Sequence, residues 1–218
     1  MIKAIIFDLD GTLLDTTKDI QNALNQVLIK HHINPITLNE TKSFLGYGAG
    51  VLVDKALKGN IENRDVIYKE YISHYEKNAN ILTRPYDDIM ELLSEIKPFY
   101  KLGVVSNKHQ KALNEVIEYH FPNVFDVVIG ESNGIPKKPD KAMLIKAIER
   151  LGIKINESIY IGDTEVDYLT AKNAYMQSII VTYGFRSYDE LKKLNAAIYV
   201  HNVKDLKELL RGMANVTY

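Results

Sequence analysis

The chain has 218 residues, no cysteine and a formal net charge of −1, with 25% of its residues charged. That length suits one α/β domain of ordinary size with a small inserted domain, and the missing cysteines exclude disulfides, thiol nucleophiles and cysteine-ligated zinc or iron–sulfur centres. The near-neutral balance offers no field to draw nucleic acid, a membrane surface or a strongly charged protein, and no segment approaches the roughly 20 apolar residues of a membrane span.

The first element is a short apolar run, Ile2, Ala4, Ile5, Ile6 and Phe7, of the kind that makes a strand buried on both faces. It has no basic stretch ahead of a long apolar one, so no export signal is read there and a cytoplasmic location is expected. Asp8 and Asp10 follow two positions apart, on one face if the extended conformation continues, and Gly11 lets the chain turn out of the strand. Two carboxylates at a strand end repel each other and suit a hard divalent cation such as Mg²⁺. The plainer alternative is an exposed acidic strand end.

After Asp15 the period changes, with Ile20, Ala23, Leu24, Val27 and Leu28 at helical spacing and Thr16 or Thr17 available as N-cap. Helical material continues to about Asn80, broken at Asn34-Pro35 and at Gly46-Tyr47-Gly48. Residues 16–82 therefore read as a helical insertion, leaving 1–15 and 83–218 as one sheet domain. From Pro85 the pattern predicts helix 86–97, strand 100–105, helix 108–120, strand 124–129, helix 140–151 and strand 159–161. Helix 166–174, strand 178–181, helix 188–195, strand 198–200 and helix 203–210 complete it. Such alternation argues for an α/β fold, a doubly wound, Rossmann-like parallel sheet with helices on both faces, whose ligands bind beyond the C-terminal strand ends.

The chemistry-bearing stretches sit at those ends or just after them: FDLDGTLLD, VVSNK, KKPDK and IGDTEVD. Together, in that order, they resemble the signatures of the haloacid dehalogenase-like phosphohydrolases, and the likeness spans nearly the whole chain. The resemblance implies that Asp8 is the nucleophile that becomes an aspartyl-phosphate. Asp10 would be the general acid and base, its backbone carbonyl also ligating the metal. Ser106 and Asn107 fall where the family binds phosphoryl oxygens, and the helix behind them would add N–H groups. Lys138, fixed by the following Pro139 in preference to Lys137, would offset charge on the nucleophile and the phosphoryl group. Asp163 would join Asp8 and Asp10 as a Mg²⁺ ligand, and Asp167 would orient Lys138 or a metal-bound water.

Two departures from the family pattern stand out. Lys141 occupies a position where the family often has a second proline, and Tyr175 one where it often has glycine, near the end of a helix. The insertion resembles the family's mobile cap, which excludes bulk water and reads the leaving group. Within it, Gly46, Tyr47, Gly48 and Ala49 resemble the cap glycine pattern of phosphoglycolate phosphatases, where backbone approaches a small ligand and a helix start near Ala49 offers N–H groups to a carboxylate. An ordinary helix–turn–helix remains the alternative. Lys42, Lys55 and Arg64 are further cations for that carboxylate, none preferred. The six histidines form no i,i+4 metal pair.

The expected protein is thus a Mg²⁺-dependent phosphatase of a small phosphorylated metabolite, monomeric or homodimeric, with 2-phosphoglycolate the first candidate. Sugar-phosphate phosphatase or mutase, nucleotidase and pyrophosphatase are alternatives within the family, while dehalogenation is disfavoured by Asp10 and the intact metal-binding acids. An aspartate-phosphorylated switch is the alternative outside enzymes.

Overall fold

The computed structural model describes residues 1–60 and 62–215. Strand β1 (Ala4–Phe7) is wholly buried and sits at the middle of a six-stranded sheet. The period-2 geometry of a strand sends Ile5 and Phe7 into one apolar cluster and Ala4 and Ile6 into the other, so helices must cover both faces. After a two-residue strand β2 (Leu14–Asp15) come four helices: α1 (Thr17–Lys30), α2 (Leu38–Phe44), α3 (Ala49–Ala56) and α4 (Arg64–Asn78). A second short strand, β3 (Arg84–Pro85), returns antiparallel to β2, with Leu14 opposite Pro85 and Asp15 opposite Arg84.

The remainder alternates: α5 (Ile89–Ile96), β4 (Lys101–His109), α6 (Gln110–His120), β5 (Val127–Glu131), α7 (Ala142–Leu151), β6 (Ser158–Gly162), α8 (Glu165–Asn173), β7 (Gln177–Val181), α9 (Tyr188–Leu191), β8 (Tyr199–Val200) and α10 (Val203–Asn215). The strand order is β5-β4-β1-β6-β7-β8, and every pairing in this sheet is parallel. Helix α7 and the end of α8 cover the face carrying Ile6 and Tyr160, while α1, α5, α6 and α10 contribute to the larger cluster around Phe7. This is the expected doubly wound α/β fold, and its order reverses beside β1, where the ends of β1, β4 and β6 open onto one crevice. Among the described residues, no helix is long and apolar enough to cross a membrane.

Several predicted boundaries move. The side chain that receives the first turn of α1 is Asp15, whose Oδ1 accepts from the Thr17 N–H (3.1 Å) and hydroxyl (2.7 Å), rather than Thr16 or Thr17. Strand β4 runs to His109, beyond the expected end at Val105, because His109 resumes pairing with Glu131 after an irregularity. Helix α6 consequently starts at Gln110, not Lys108. Val124 and Phe125 pack against the core ahead of β5, and the final turn of the helix expected over 188–195 is 3₁₀. The two crossings between sheet and insertion are tied together by buried Asp19 of α1, which accepts from the N–H groups of Leu82 and Thr83 and from the Thr83 hydroxyl at 2.8–3.0 Å.

Tyr175 keeps a glycine-like helix ending without being glycine. Its φ is 55°, in the left-handed region, with its N–H donated to Lys172 O (3.1 Å) and that of Met176 to Ala171 O (2.9 Å). That is the paired 5→2 and 6→1 pattern of a Schellman ending. The side chain is 90% exposed and adds little packing in return for its backbone strain. Tyr175→Gly should therefore stabilise the fold by up to about 1 kcal/mol, read as a rise in Tm of about 2–4 °C. An unchanged or lower Tm would mean that the tyrosine ring contributes more than its exposure suggests.

Candidate active site

Asp8 leaves β1 with its N–H bonded to Ile161 O of the neighbouring strand at 2.8 Å, which fixes its backbone to the sheet. Gly11 then turns at φ +91°, and a side chain there would run into the Asp163 carboxylate. Asp163 at the end of β6 is fully buried and held by the Phe185 N–H (2.8 Å) and the Thr12 hydroxyl (3.1 Å). Asp8, Asp163 and Asp167 each offer an oxygen within 4.8 Å of the others.

Lys138 is the cation among these acids. Its buried ammonium lies 2.8 Å from Asp8 Oδ1 and 2.7 Å from Asp167 Oδ1, and it donates to the Tyr160 hydroxyl at 2.9 Å. Tyr160 in turn has one hydroxyl proton for two acceptors, Val105 O and Asp167 Oδ1, each 3.0 Å away. The other oxygen of Asp167 accepts from the Thr164 N–H (3.0 Å) and hydroxyl (2.7 Å), which caps α8. Both Asp167 oxygens are thereby engaged. Lys137, the neighbour set aside on sequence grounds, is half-exposed and lies 3.8 Å from Glu131.

Burial dominates the electrostatics. It pushes the Asp8 carboxyl up to about 7 despite the pull of Lys138, with Asp167 and Asp10 pushing the same way. Asp163 is raised well above the ordinary range by burial and then by Asp167 and Asp8. For Asp167 burial is outweighed by Lys138 and the Thr164 hydrogen bonds, which hold it below that range. Burial likewise fails to neutralise Lys138, which Asp167 and Asp8 raise. Three buried acids against one lysine leave negative charge uncompensated, and a divalent cation fits that deficit.

Asp10 stands outside the three-acid cluster. Both of its oxygens meet the Lys108 ammonium, at 2.8 and 3.0 Å. Ser106 is buried, and its hydroxyl accepts from the Lys108 N–H at 3.2 Å. Asn107 spends its amide on structure: Oδ1 accepts from Lys138 N (2.9 Å), and Nδ2 donates to Lys138 O (3.0 Å) and Gly46 O (3.1 Å). It therefore holds the lysine loop and touches the helical insertion, and both of its amide hydrogens are spent on carbonyls rather than left for a phosphoryl oxygen.

Asp8, Asp10, Ser106, Asn107, Lys108 and Lys138 line a cavity of about 70 Å³ between sheet and insertion. Gly46, Gly48 and Ala49 line it, with α3 starting at Ala49, whereas Tyr47 does not. The rest of that wall is Ile20, Leu45, Leu52, Tyr71, Ile72 and Tyr75, with one carboxylate, Glu76, which lies 3.4 Å from Lys111. Lys42, Lys55 and Arg64 are not among its lining residues. Lys55 lies over the Phe44 and Tyr47 rings, and Arg64 is paired with Asp54 and Asp65.

Two residues escaped sequence reasoning. One is Lys108. The other is Arg186, buried beyond β7, which pairs with Glu165 (3.1 Å) and donates to the carbonyls ending α2: Lys42 (2.5 Å), Ser43 (3.4 Å) and Leu45 (2.9 Å). No local signal distinguishes either from a solvated cation.

The sequence profile of the haloacid dehalogenase-like hydrolases matches residues 5–181. The chain is 30% identical to a protein of Psychrobacter arcticus named phosphoglycolate phosphatase, over 88% of each chain. It is 29% identical to one of that name from Aquifex aeolicus, over 98% of each. A crystal structure of a predicted phosphatase from Clostridium acetobutylicum superposes with a TM-score of 0.88 at 29% identity, covering 97% of this chain and 99% of that one. The chain belongs to the haloacid dehalogenase-like hydrolases.

Arg186→Met would leave three carbonyls at the end of α2 without their donor, while Glu165 loses its partner. Stability should fall by about 2–4 kcal/mol in denaturant titrations, with amide exchange in α2 and the Gly46–Gly48 turn accelerated first. Uniform acceleration across the sheet would show instead that Arg186 serves global folding.

Proposed function

We propose that the chain is a divalent-metal-dependent phosphatase that hydrolyses a small phosphate monoester through an aspartyl-phosphate, with Mg²⁺ as the metal and 2-phosphoglycolate as the first candidate substrate. The observation that carries this reading is the buried nucleophile position: Asp8 fixed at a strand end, beside Lys138 and facing Asp163, with Asp10 on the same cavity. The names of the two curated relatives support the choice of substrate.

In this mechanism an Asp8 oxygen attacks phosphorus, the bond to the alcohol oxygen breaks, and Asp10 delivers a proton to that oxygen. Asp10 then takes a proton from the water that cleaves the acyl phosphate, returning both acids to their starting states. Lys138 offsets charge on Asp8 and on the phosphoryl oxygens while Asp167 and Tyr160 hold it in place. Ser106 donates its hydroxyl to a phosphoryl oxygen. Asp8 and Asp163, with the Asp10 carbonyl, would hold the metal, which supplies charge neutralisation at phosphorus. Residues 16–82 serve as the cap over a core of 1–15 and 83–218, and the apolar wall from Leu45 to Tyr75 excludes bulk water. A cysteine-free chain acting on a soluble metabolite is assigned to the cytoplasm.

The test is phosphate release from 2-phosphoglycolate, sugar phosphates, nucleotides and pyrophosphate, with and without Mg²⁺. Asp8→Asn should reduce turnover by about 10⁴-fold or more, and Asp10→Asn by about 10²- to 10⁴-fold. A chelator should abolish activity and added Mg²⁺ restore it. Preference for another ester would replace the substrate and keep the chemistry. A stable phosphoryl-enzyme without turnover would favour a switch.

A further inference from the structure

Lys108 is an unusual lysine. Its side chain is 6% exposed, and its ammonium is shared between a catalytic-site acid of the sheet domain and a hydroxyl of the insertion: Asp10 at 2.8 and 3.0 Å and Tyr75 Oη at 2.8 Å. The same ammonium lies 4.9 Å from the centre of the Tyr75 ring. Lys108, Asp10 and Tyr75 all line the cavity.

The cavity's other lysine is already committed. Lys138 is held by Asp8, Asp167 and Tyr160, which belong to the sheet domain. His109 is engaged with the Tyr68 hydroxyl at 2.9 Å. Much of the wall supplied by the insertion is apolar, Leu45, Leu52 and Ile72 with the rings of Tyr71 and Tyr75. Its one charged residue there is Glu76, so a leaving group with a negative charge would find no compensation on that wall, and a buried charge without a partner is costly. Lys108 lies one hydrogen bond beyond Asp10, the group facing the leaving oxygen in the mechanism above. An anion one or two carbons from that oxygen falls within its reach.

We propose that Lys108, with the Tyr75 hydroxyl as a second donor, is the specificity-determining cation of this site, and that it binds a carboxylate carried on the alcohol half of a short phosphate monoester. The inference rests on the phosphatase reading and goes further by naming the recognised group and the residues that recognise it. In the structure Asp10 occupies the place of that carboxylate. Substrate binding transfers Lys108 from Asp10 to the substrate, and Tyr75 follows the same ammonium. The selection is then made by two elements that meet only when the insertion lies against the sheet.

The test compares kcat and KM for 2-phosphoglycolate, ethyl phosphate and phosphoethanolamine, which carry a carboxylate, nothing and an ammonium near the leaving oxygen. The wild-type protein should favour 2-phosphoglycolate over ethyl phosphate by about 10- to 100-fold in kcat/KM, as for a charge-assisted hydrogen bond. In Lys108→Met that ratio should collapse to within about threefold, chiefly through a higher KM for 2-phosphoglycolate, with the penalty against phosphoethanolamine shrinking in parallel. Tyr75→Phe keeps the Lys108–Asp10 pair and should lower the ratio by about 3- to 10-fold, so the proposal stays testable if the lysine variant misfolds. Equal losses on all three esters would overturn it, placing Lys108 in the service of Asp10 alone. Wild-type indifference to the carboxylate would also overturn it while leaving the phosphatase intact. Failure to hydrolyse any of the three with Mg²⁺, alongside turnover of a larger ester, would refute the proposed short carboxylate substrate; no turnover of any ester would remove the phosphatase reading and this inference together.

Discussion

The lysine between Asp8 and Asp167 is the contact on which the rest of the site depends. Burying three carboxylates beside one another is unfavourable by itself, and a single ammonium with both acids within 2.8 Å is what the folded chain offers against it. The arrangement is strained in charge rather than in backbone. Burial raises the Asp8 carboxyl to about 7 despite the lysine, whose ammonium is shared among Asp8, Asp167 and Tyr160. A cluster built that way gains by admitting positive charge.

Much of this was legible in the sequence because its determinants are local. Asp8, Asp10 and Gly11 follow a buried apolar run, and Asp163 and Asp167 lie four residues apart, just past β6 and in the first turn of α8. Chain order and strand periodicity together place such residues at one sheet edge. Lys138 over Lys137 was readable from its proline neighbour, and the contrast between a buried ammonium and a half-exposed one is large.

What was not legible depends on contacts between distant elements. Lys108 follows a strand-end serine and asparagine, and nothing nearby distinguishes it from a solvated lysine; its burial is decided by Tyr75 and Asp10 arriving from elsewhere. Arg186 acquires its meaning from where α2 ends. Asn107 was assigned to phosphate by its neighbourhood, yet its side chain is occupied by Lys138 and Gly46. The extension of β4 to His109 was hidden because its last pairing depends on Glu131 of the next strand.

Asp167 has a consequence for how such a chain can change over generations. One oxygen closes the first turn of α8 and the other fixes the lysine beside Asp8. Losing the acid therefore uncaps a helix and releases the buried lysine in the same step. Descendants drifting toward a purely structural role would be selected to keep it for folding alone, and would carry a nearly assembled reaction centre long after the reaction had ceased to matter.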